Sequence, residues 1–449
     1  MAGSNTFWIN WPMNTFSVAF VVSSGDISGG INVVFRHAMH LAETGVQVAI
    51  VSNPALTRKA VSWHPVSAVF SHPKLQWLDF FAASTMKFDV AIATFWITCF
   101  DLWKVNSANY VFFVQSIESR FYPASDRMLR NVIDAMYDLP WGFITEAKWI
   151  ERYLQQLHQQ VAAVVPNGID KELFCCDGPA LSPRRPGKLR VLVEGAIDVE
   201  FKNVPTAIRL ARQAEADEIW LLTPSDVRSY PRVDRVLSRI PQESTPLVYR
   251  SCDLVLKLSL VEGMFGPPLE MFHCGGTCIV FNVTGHDEYI EHGRNGIVVS
   301  TADEAGVVAA LKRLREMPPL LENLKRNAVA TSVSWPDWEQ SSARFLGALQ
   351  QVIERGTIDR AQLARFSRRL WLFWIARADA APPMATPLTG IFPQLLIRGL
   401  RYYREYGWSM TRRQVILWMR IHDIPSALFR RAVARLRAVG RRAAYRLPR

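Results

Sequence analysis

Apolar residues in this chain come in short unbroken runs, and the stretches between the runs have helical spacing. Residues 18–23 (VAFVVS) show no polar alternation, which predicts a strand buried on both faces. Gly29 and Gly30 follow, and then Val33, Val34, Ala38 and Leu41 recur at helical intervals across 32–44. Gly45 stops that helix, because glycine accepts the left-handed conformation that ends one. Runs at 46–52, 88–94, 110–115, 142–145 and 162–165 read as further strands. Strand, helix, strand at this spacing predicts a parallel sheet covered on both faces. The turn cluster Pro166-Asn167-Gly168-Ile169-Asp170 interrupts the series, and a Pro- and Arg-rich stretch follows at 179–186. The alternation then restarts, with strands at 190–194, 218–223, 253–258, 276–282 and 296–300 and a helix at 204–214. Helices are expected at 303–315, 318–330 and 337–355. The expected fold class is therefore α/β. Its divisions are a first domain at 1–166, a second at 167–335, a closing helical segment at 336–358 and a tail at 359–449.

Charge changes this picture only at one end. The formal charge is +12 over 449 residues, a balance that invites a nucleic-acid reading. Yet residues 360–449 hold 19 Arg, no Lys and three acids, whereas residues 1–359 hold 33 basic and 37 acidic residues. The body is slightly acidic, and any account of the basicity must be local. Hydrophobic content of 49% with 20% charged residues fits a globular protein and excludes wholesale disorder. No run approaches the roughly 18 apolar residues of a spanning helix. The first residues, MAGSNTFWINWPMNTF, lack a basic segment and an apolar core, so no secretory signal is expected. The six Cys include no C-x-x-C pair and no accompanying His cluster, which favours buried free thiols in a reducing compartment.

The strongest chemical signal is Glu262-Gly263-Met264-Phe265-Gly266-Pro267-Pro268-Leu269-Glu270. Glu262 falls in a glycine-containing loop after a strand, and Glu270 falls early in the next helix. Such a turn exposes backbone N–H groups to an anion, helped by the helix dipole. The two carboxylates can accept hydrogen bonds from sugar hydroxyls. Taken alone, the pair is better read as a turn residue and a solvent-facing helix acid.

The flanking motifs change that balance. The run SLVEGMFGPPLEMFHCGG resembles the E-x7-E region of family 4 retaining glycosyltransferases. Ser28-Gly29-Gly30 with its helix is similar to that family's N-terminal glycine loop, and VPNGIDKELF (165–174) to its interdomain segment. GHDEYIEHGRNGIVV (285–299) is similar to a late motif, and WPDWEQSSARF (335–345) to the helix that crosses back to the first domain. The resemblance covers roughly 17–356 in the family's order. It implies the GT-B architecture, two Rossmann-like domains facing across a cleft. A nucleoside diphosphate sugar would sit on the second domain and a glycan or lipid-linked acceptor on the first. It implies no cofactor and no bound metal, in keeping with the absence of Asp-x-Asp. The leaving diphosphate must then be stabilised by cations and oriented amides.

By the same resemblance, Lys202 is the candidate phosphate cation, with Glu262 and Gln115 beside it as candidate catalytic residues. Gly29, Gly30, Gly263, Met264, Phe265, Gly266 and Glu270 are candidate donor-binding residues. Two departures stand out. The family commonly has an Arg where this chain reads Gly195-Ala196, and Lys257 either supplies that charge or snorkels at a strand end; Arg250 is a further candidate. Gln115 stands where many relatives carry a His. The run FVQ, then an acid, then FYP (113–123) is similar to a subset that builds bacterial surface glycans, rhamnosyl transferases included. Glu118 is a candidate sugar contact, Trp96 either lines the cleft or belongs to the core, and His37 and His40 read as structural.

The tail has its own pattern. In a helix over 429–447, Phe429, Val433, Leu436, Gly440, Ala443 and Leu447 share one face, while Arg430, Arg431, Arg435, Arg437, Arg441, Arg442 and Arg446 take the other. A basic amphipathic helix fits an anionic membrane surface, or an acidic partner or second subunit. No motif supports nucleic acid. The expectation is an enzyme of polysaccharide biosynthesis, cytoplasmic and peripheral on the inner membrane face. A glycosyltransferase-like scaffold that binds without transferring is the alternative.

Overall fold

The computed structural model describes residues 16–380, with side chains described as far as 370. The chain divides into two compact units at Leu370–Trp371, and the first holds both sheets. The amphipathic segment expected at 429–447 and the aromatic- and Arg-rich stretch at 394–420 lie outside the described residues.

Seven strands make the first sheet: β1 (Ser17–Val21), β2 (Gln47–Val51), β3 (Leu75–Leu78), β4 (Phe88–Ala93), β5 (Ser107–Val114), β6 (Gly142–Thr145) and β7 (Ala162–Val164). They lie in the order β3-β2-β1-β4-β5-β6-β7, every neighbouring pair parallel. Six make the second: β8 (Arg190–Glu194), β9 (Glu218–Thr223), β10 (Arg235–Ser238), β11 (Leu254–Lys257), β12 (Thr277–Phe281) and β13 (Ile297–Val299). Their order is β10-β9-β8-β11-β12-β13, again all parallel. The continuous apolar runs follow from this arrangement. Helices cover both faces, so Val18, Phe20, Ile50 and Ile92 are all fully buried, and so are Val191, Val255 and Ile279. Chain order turns back at β1 and β8, the switch points at which ligands bind outside the strands' C-terminal ends.

Sequence patterning missed β3 and β10. Both are edge strands, four residues long and only partly buried (LQWL and RVLS), so neither presents the apolar run of a central strand. The first helix also begins earlier than its apolar spacing indicates. It runs Gly29–Glu43, because the Ser28 side chain accepts from the Ile31 N–H and draws both glycines into the first turn.

Two segments cross side by side between the sheets. Ile169 N–H donates to Pro336 O (3.1 Å), Trp335 Nε1 to Asn167 O (2.8 Å) and Ser341 Oγ to Pro166 O (2.7 Å). A Cβ at Gly168 would lie 2.5 Å from Asp337 O, so only glycine fits this crossing. Helix Trp338–Glu354 then packs into the first domain's core through Phe345, Leu349 and Val352. Phe345 stacks on His37 at 4.3 Å, and His37 Nδ1 meets Ser342 Oγ at 2.9 Å. Burial holds His37 near 3, hence neutral, in a structural role. The Arg-rich region starts on this same scaffold: Arg360 Nε donates to Trp103 O (2.8 Å), and Leu363 is fully buried.

Candidate functional site

Each domain turns a set of strand ends toward the other. On the first domain, helix Gly29–Glu43 starts after β1, and its early N–H groups have no acceptor within the helix. No atom lies within 4 Å of where a Gly29 Cβ would be, so this turn faces open space. Gln115, just past β5, donates from Nε2 to Thr94 O (3.2 Å). Its Oε1 sits 3.2 Å from the Cβ position of Gly30, buried and without a hydrogen-bond partner.

On the second domain, four charged side chains meet. Lys202 ends the short turn Glu200–Lys202 after β8. That turn is tied to the segment after β11 by Leu260 N–H donating to Phe201 O (2.7 Å) and Asn203 Nδ2 to Leu258 O (3.1 Å). Lys202 Nζ lies 2.8 and 3.0 Å from the two oxygens of Glu262. Lys257, at the end of β11, is 2.6 Å from Glu194 Oε2 and 3.4 Å from Glu262 Oε1. Burial works against the Glu262 carboxylate, but Lys202 and Lys257 outweigh it and hold the group at about 2. Burial likewise opposes the Lys257 ammonium, and Glu194 and Glu262 more than offset this, raising its pKa. The Lys257 side chain is 2% exposed and that of Lys202 26%, so only Lys202 has a face toward solvent.

The loop Gly263–Phe265 is pressed onto the first domain. A Cβ at Gly263 would fall 1.8 Å from Gln115 O, which excludes any other residue at this contact. Trp149 Nε1 donates to Gly263 O (2.8 Å), and Met264 N–H donates to Glu146 Oε1 (2.9 Å). Phe121 stacks on Phe201 at 4.9 Å. On the other side of the glycine turn, Gln242 Nε2 donates to Asn32 Oδ1 (2.7 Å), and Arg36 pairs with Asp170 (3.2 Å).

The helix that follows, Gly266–His273, has Pro267 and Pro268 in its first turn, which removes two donors from its N-terminus. The Tyr289 hydroxyl donates to Phe265 O. The amide of Met264, expected to face a phosphate, is occupied by Glu146, and no atom lies within 4 Å of a Cβ at Gly266. Glu270 is half-buried under Tyr249. Burial, with the nearby Glu194, raises it to about 7 against the Tyr249 hydrogen bond and the Arg36 and Lys257 charges.

Comparisons with known proteins fit this arrangement. Residues 234–331 match the family described as Glycosyl transferases group 1, a span that contains Glu262, Glu270 and Tyr289. The O-antigen biosynthesis protein RfbC of Myxococcus xanthus is 25% identical over 273 residues, which is 58% of this chain and 20% of that protein. The chain thus spans about a fifth of that relative. Sucrose-phosphate synthase from Thermosynechococcus elongatus superposes with a TM-score of 0.58 at 15% identity, over 76% of this chain and 100% of the other. HepE of Anabaena, in complex with UDP and glucose, gives 0.59 at 13% identity, over 75% and 100%. WaaG, a glycosyltransferase involved in lipopolysaccharide biosynthesis, gives 0.52 at 14% identity, over 74% and 98%.

The fold is GT-B. The E-x7-E loop lies inside the span, 234–331, that matches the group 1 family. Within the GT-B frame, several expected residues do not face the cleft. Glu118 is buried, accepting the Trp96 N–H at 2.5 Å, and Trp96 belongs to the core with its Nε1 donating to the Tyr122 hydroxyl. Arg250 binds the carbonyls of Pro179, Leu173 and Cys175, which ties it to the chain entering the second domain. Lys257 is enclosed between two carboxylates. Cys99, Cys252, Cys274 and Cys278 are buried free thiols, whereas Cys175 is half-buried and Cys176 exposed. Among the described residues no group of three or more His, Cys, Asp or Glu is placed to hold a metal ion, and no helix is long and apolar enough to cross a membrane.

Sequence reasoning missed Glu146, Glu194 and Asn167. Glu146 and Glu194 stand at the C-terminal ends of β6 and β8, where a parallel sheet presents its ligands, and that position was the available signal.

Proposed function

We propose that this chain is a retaining, metal-independent glycosyltransferase of family 4 that moves a sugar from a nucleoside diphosphate donor to a glycan or lipid-linked acceptor. The observation that carries the reading is the Lys202–Glu262 pair, set at the second domain's strand ends with Lys202 partly open to solvent. In transfer, the bond from the sugar's anomeric carbon to the phosphate oxygen breaks and a bond to the acceptor oxygen forms. The acceptor's hydroxyl proton goes to the leaving phosphate. Lys202 turns from Glu262 toward that phosphate, and the free N–H groups of the Gly29-Gly30 turn and of Phe265 and Gly266 share its charge. Glu262 then accepts from sugar hydroxyls, and Glu270 from the ribose. Gln115 lies at the glycine turn, where its unpaired Oε1 is available to the sugar. Lys257 serves by holding Glu194 and Glu262 in place. Removing one preorganised contact of the Lys202 kind costs on the order of 10²-fold in turnover.

The sequence similarity to an O-antigen biosynthesis protein supports a role in bacterial polysaccharide assembly, and the FVQ…FYP run supports a deoxyhexosyl donor such as a rhamnosyl nucleotide. The Arg-rich tail supports attachment to the inner, anionic membrane face, or alternatively to a partner subunit. A panel of nucleoside diphosphate sugars, with release of the nucleotide as readout, tests the activity. One observation favours the scaffold alternative: both lysines of the cluster are already engaged by carboxylates. Binding of nucleotide without turnover of any donor in the panel would decide for it.

A further inference from the structure

We propose that Glu146 is a positioning residue for the donor: reaching from the first domain, its carboxylate seats the loop that carries Glu262 and so sets whether the cleft closes around the nucleotide. The proposal rests on the transferase reading above and adds to it a residue outside the E-x7-E motif. One carboxylate joins three segments. Oε1 accepts the Met264 N–H from the donor loop (2.9 Å), Oε2 accepts from Asn167 Nδ2 in the interdomain crossing (2.7 Å), and Glu146 itself follows β6. The residue is 6% exposed. The loop passes it with no slack, since a Cβ at Gly263 would meet Gln115 O at 1.8 Å and Glu146 Oε1 at 2.7 Å. Trp149, three residues along, holds the neighbouring carbonyl of Gly263. No interaction here belongs to the transfer step, yet all of them fix where Glu262 and the Phe265 and Gly266 amides stand.

The same geometry couples the latch to a proton. Burial, with the facing Glu262, raises Glu146 to about 7, while its bonds to Asn167 and Met264 and the facing Lys202 pull the other way. Opening the cleft returns the carboxylate to water and to its ordinary range. The closed form therefore binds the proton more tightly, so closure is favoured below about 7 and opposed as pH rises through that value. Asn167 is suited to both states. Its Oδ1 is buried without a partner, and rotation of the amide would present that oxygen to a protonated Glu146. A glutamine at 146 would use the same rotation, accepting from Met264 with its oxygen and donating to Asn167 with its nitrogen. Glu146→Gln thus imitates the protonated, closed latch at every pH.

The test uses the full chain as wild type, Glu146→Gln and Glu146→Ala. Hydrogen exchange of 262–266, corrected for intrinsic rates, and UDP binding by calorimetry are measured from pH 5.5 to 8.5. In the alanine protein, exchange in 262–266 should rise and UDP affinity should fall, each by about tenfold, since a buried donor loses its acceptor. Wild type should lose UDP affinity and loop protection by about tenfold across this range. In the glutamine protein, exchange of 262–266 should keep its low-pH value throughout, while UDP affinity keeps only the response that Glu270, held near 7, contributes. Unchanged exchange of 262–266 in the alanine protein, or a glutamine protein whose 262–266 exchange titrates like wild type, overturns the proposal. Should the alanine protein fail to fold, the pH response of the glutamine protein still decides. Failure of wild type to bind UDP or any other nucleoside diphosphate at any pH would count against the donor reading instead, with the exchange comparison still judging the latch.

Discussion

Replacing Lys257 with methionine tests whether the cluster at the second domain's strand ends works as a charge network. Methionine keeps the length and apolar stem of lysine and removes only the ammonium, which is 2.6 Å from Glu194 and 3.4 Å from Glu262. Burial alone would raise Glu262, and the two lysines hold it instead at about 2, against an ordinary 4.5. At about 1.4 kcal/mol for each tenfold change in proton affinity, that gap corresponds to about 3 kcal/mol. Removing one partner of a buried ion pair costs about 3–5 kcal/mol when the charge left behind is unpaired; here Lys202 still pairs with Glu262 and Glu194 loses its lysine, which puts the loss at the lower end. We therefore expect Lys257→Met to lose about 3 kcal/mol of unfolding free energy at pH 7.5. The sign of the pH dependence follows from the depressed carboxylate. Its contribution is present above its ordinary 4.5 and is lost as pH falls toward 2, so the difference between variant and wild type narrows below pH 4.5. Urea unfolding followed by circular dichroism at pH 7.5, 4.5 and 3.5 reads both quantities. A loss under about 1 kcal/mol at pH 7.5, of the size of an exposed pair, would refute the network, as would a difference that widens toward pH 3.5.

Further outcomes follow from the same geometry. Lys202→Ala should lower turnover by about 10²-fold. Its side chain is 26% exposed, so the accompanying change in urea midpoint should be well below that of Lys257→Met; equal stability losses with full turnover would remove its assigned role. Gly263→Ala should separate the loop from the first domain, since its Cβ would fall 1.8 Å from Gln115 O. Nucleotide affinity measured by calorimetry should drop by tenfold or more, about the 1–3 kcal/mol typical of overpacking, and wild-type affinity would show that the contact is not kept in solution. Changing Arg430, Arg431, Arg435, Arg437, Arg441, Arg442 and Arg446 to Gln should abolish flotation of the full chain with anionic liposomes at physiological salt. Flotation equal to wild type would end the membrane reading of the tail.

The central strands could be read from the sequence because burial on both faces forces unbroken apolar runs, as in VAFVVS and RVLVE. The edge strands β3 and β10 could not, because each is short and half-covered. The loop between Glu262 and Glu270 was legible as a local motif, and Lys202 was legible beside it. Their direct pairing was not, since residues 60 positions apart meet only when β8 and β11 lie side by side. Glu146 was hidden for a further reason: its partners Met264 and Asn167 both lie beyond the first domain, and nothing in the order of residues states how two domains close. Lys257 looked anomalous in a strand, and the anomaly was real, but the answer to it was two carboxylates rather than solvent.

Transfer itself is the decisive measurement. Purified full-length protein is incubated with each of a panel of nucleoside diphosphate sugars and a glycan or lipid-linked acceptor, and product anomers are assigned by NMR. The account predicts that at least one donor is consumed, that the new linkage keeps the donor's anomeric configuration, and that Lys202→Ala loses about 10²-fold of the rate. Inverted product, or a folded, nucleotide-binding protein that transfers no sugar from any donor, would contradict it.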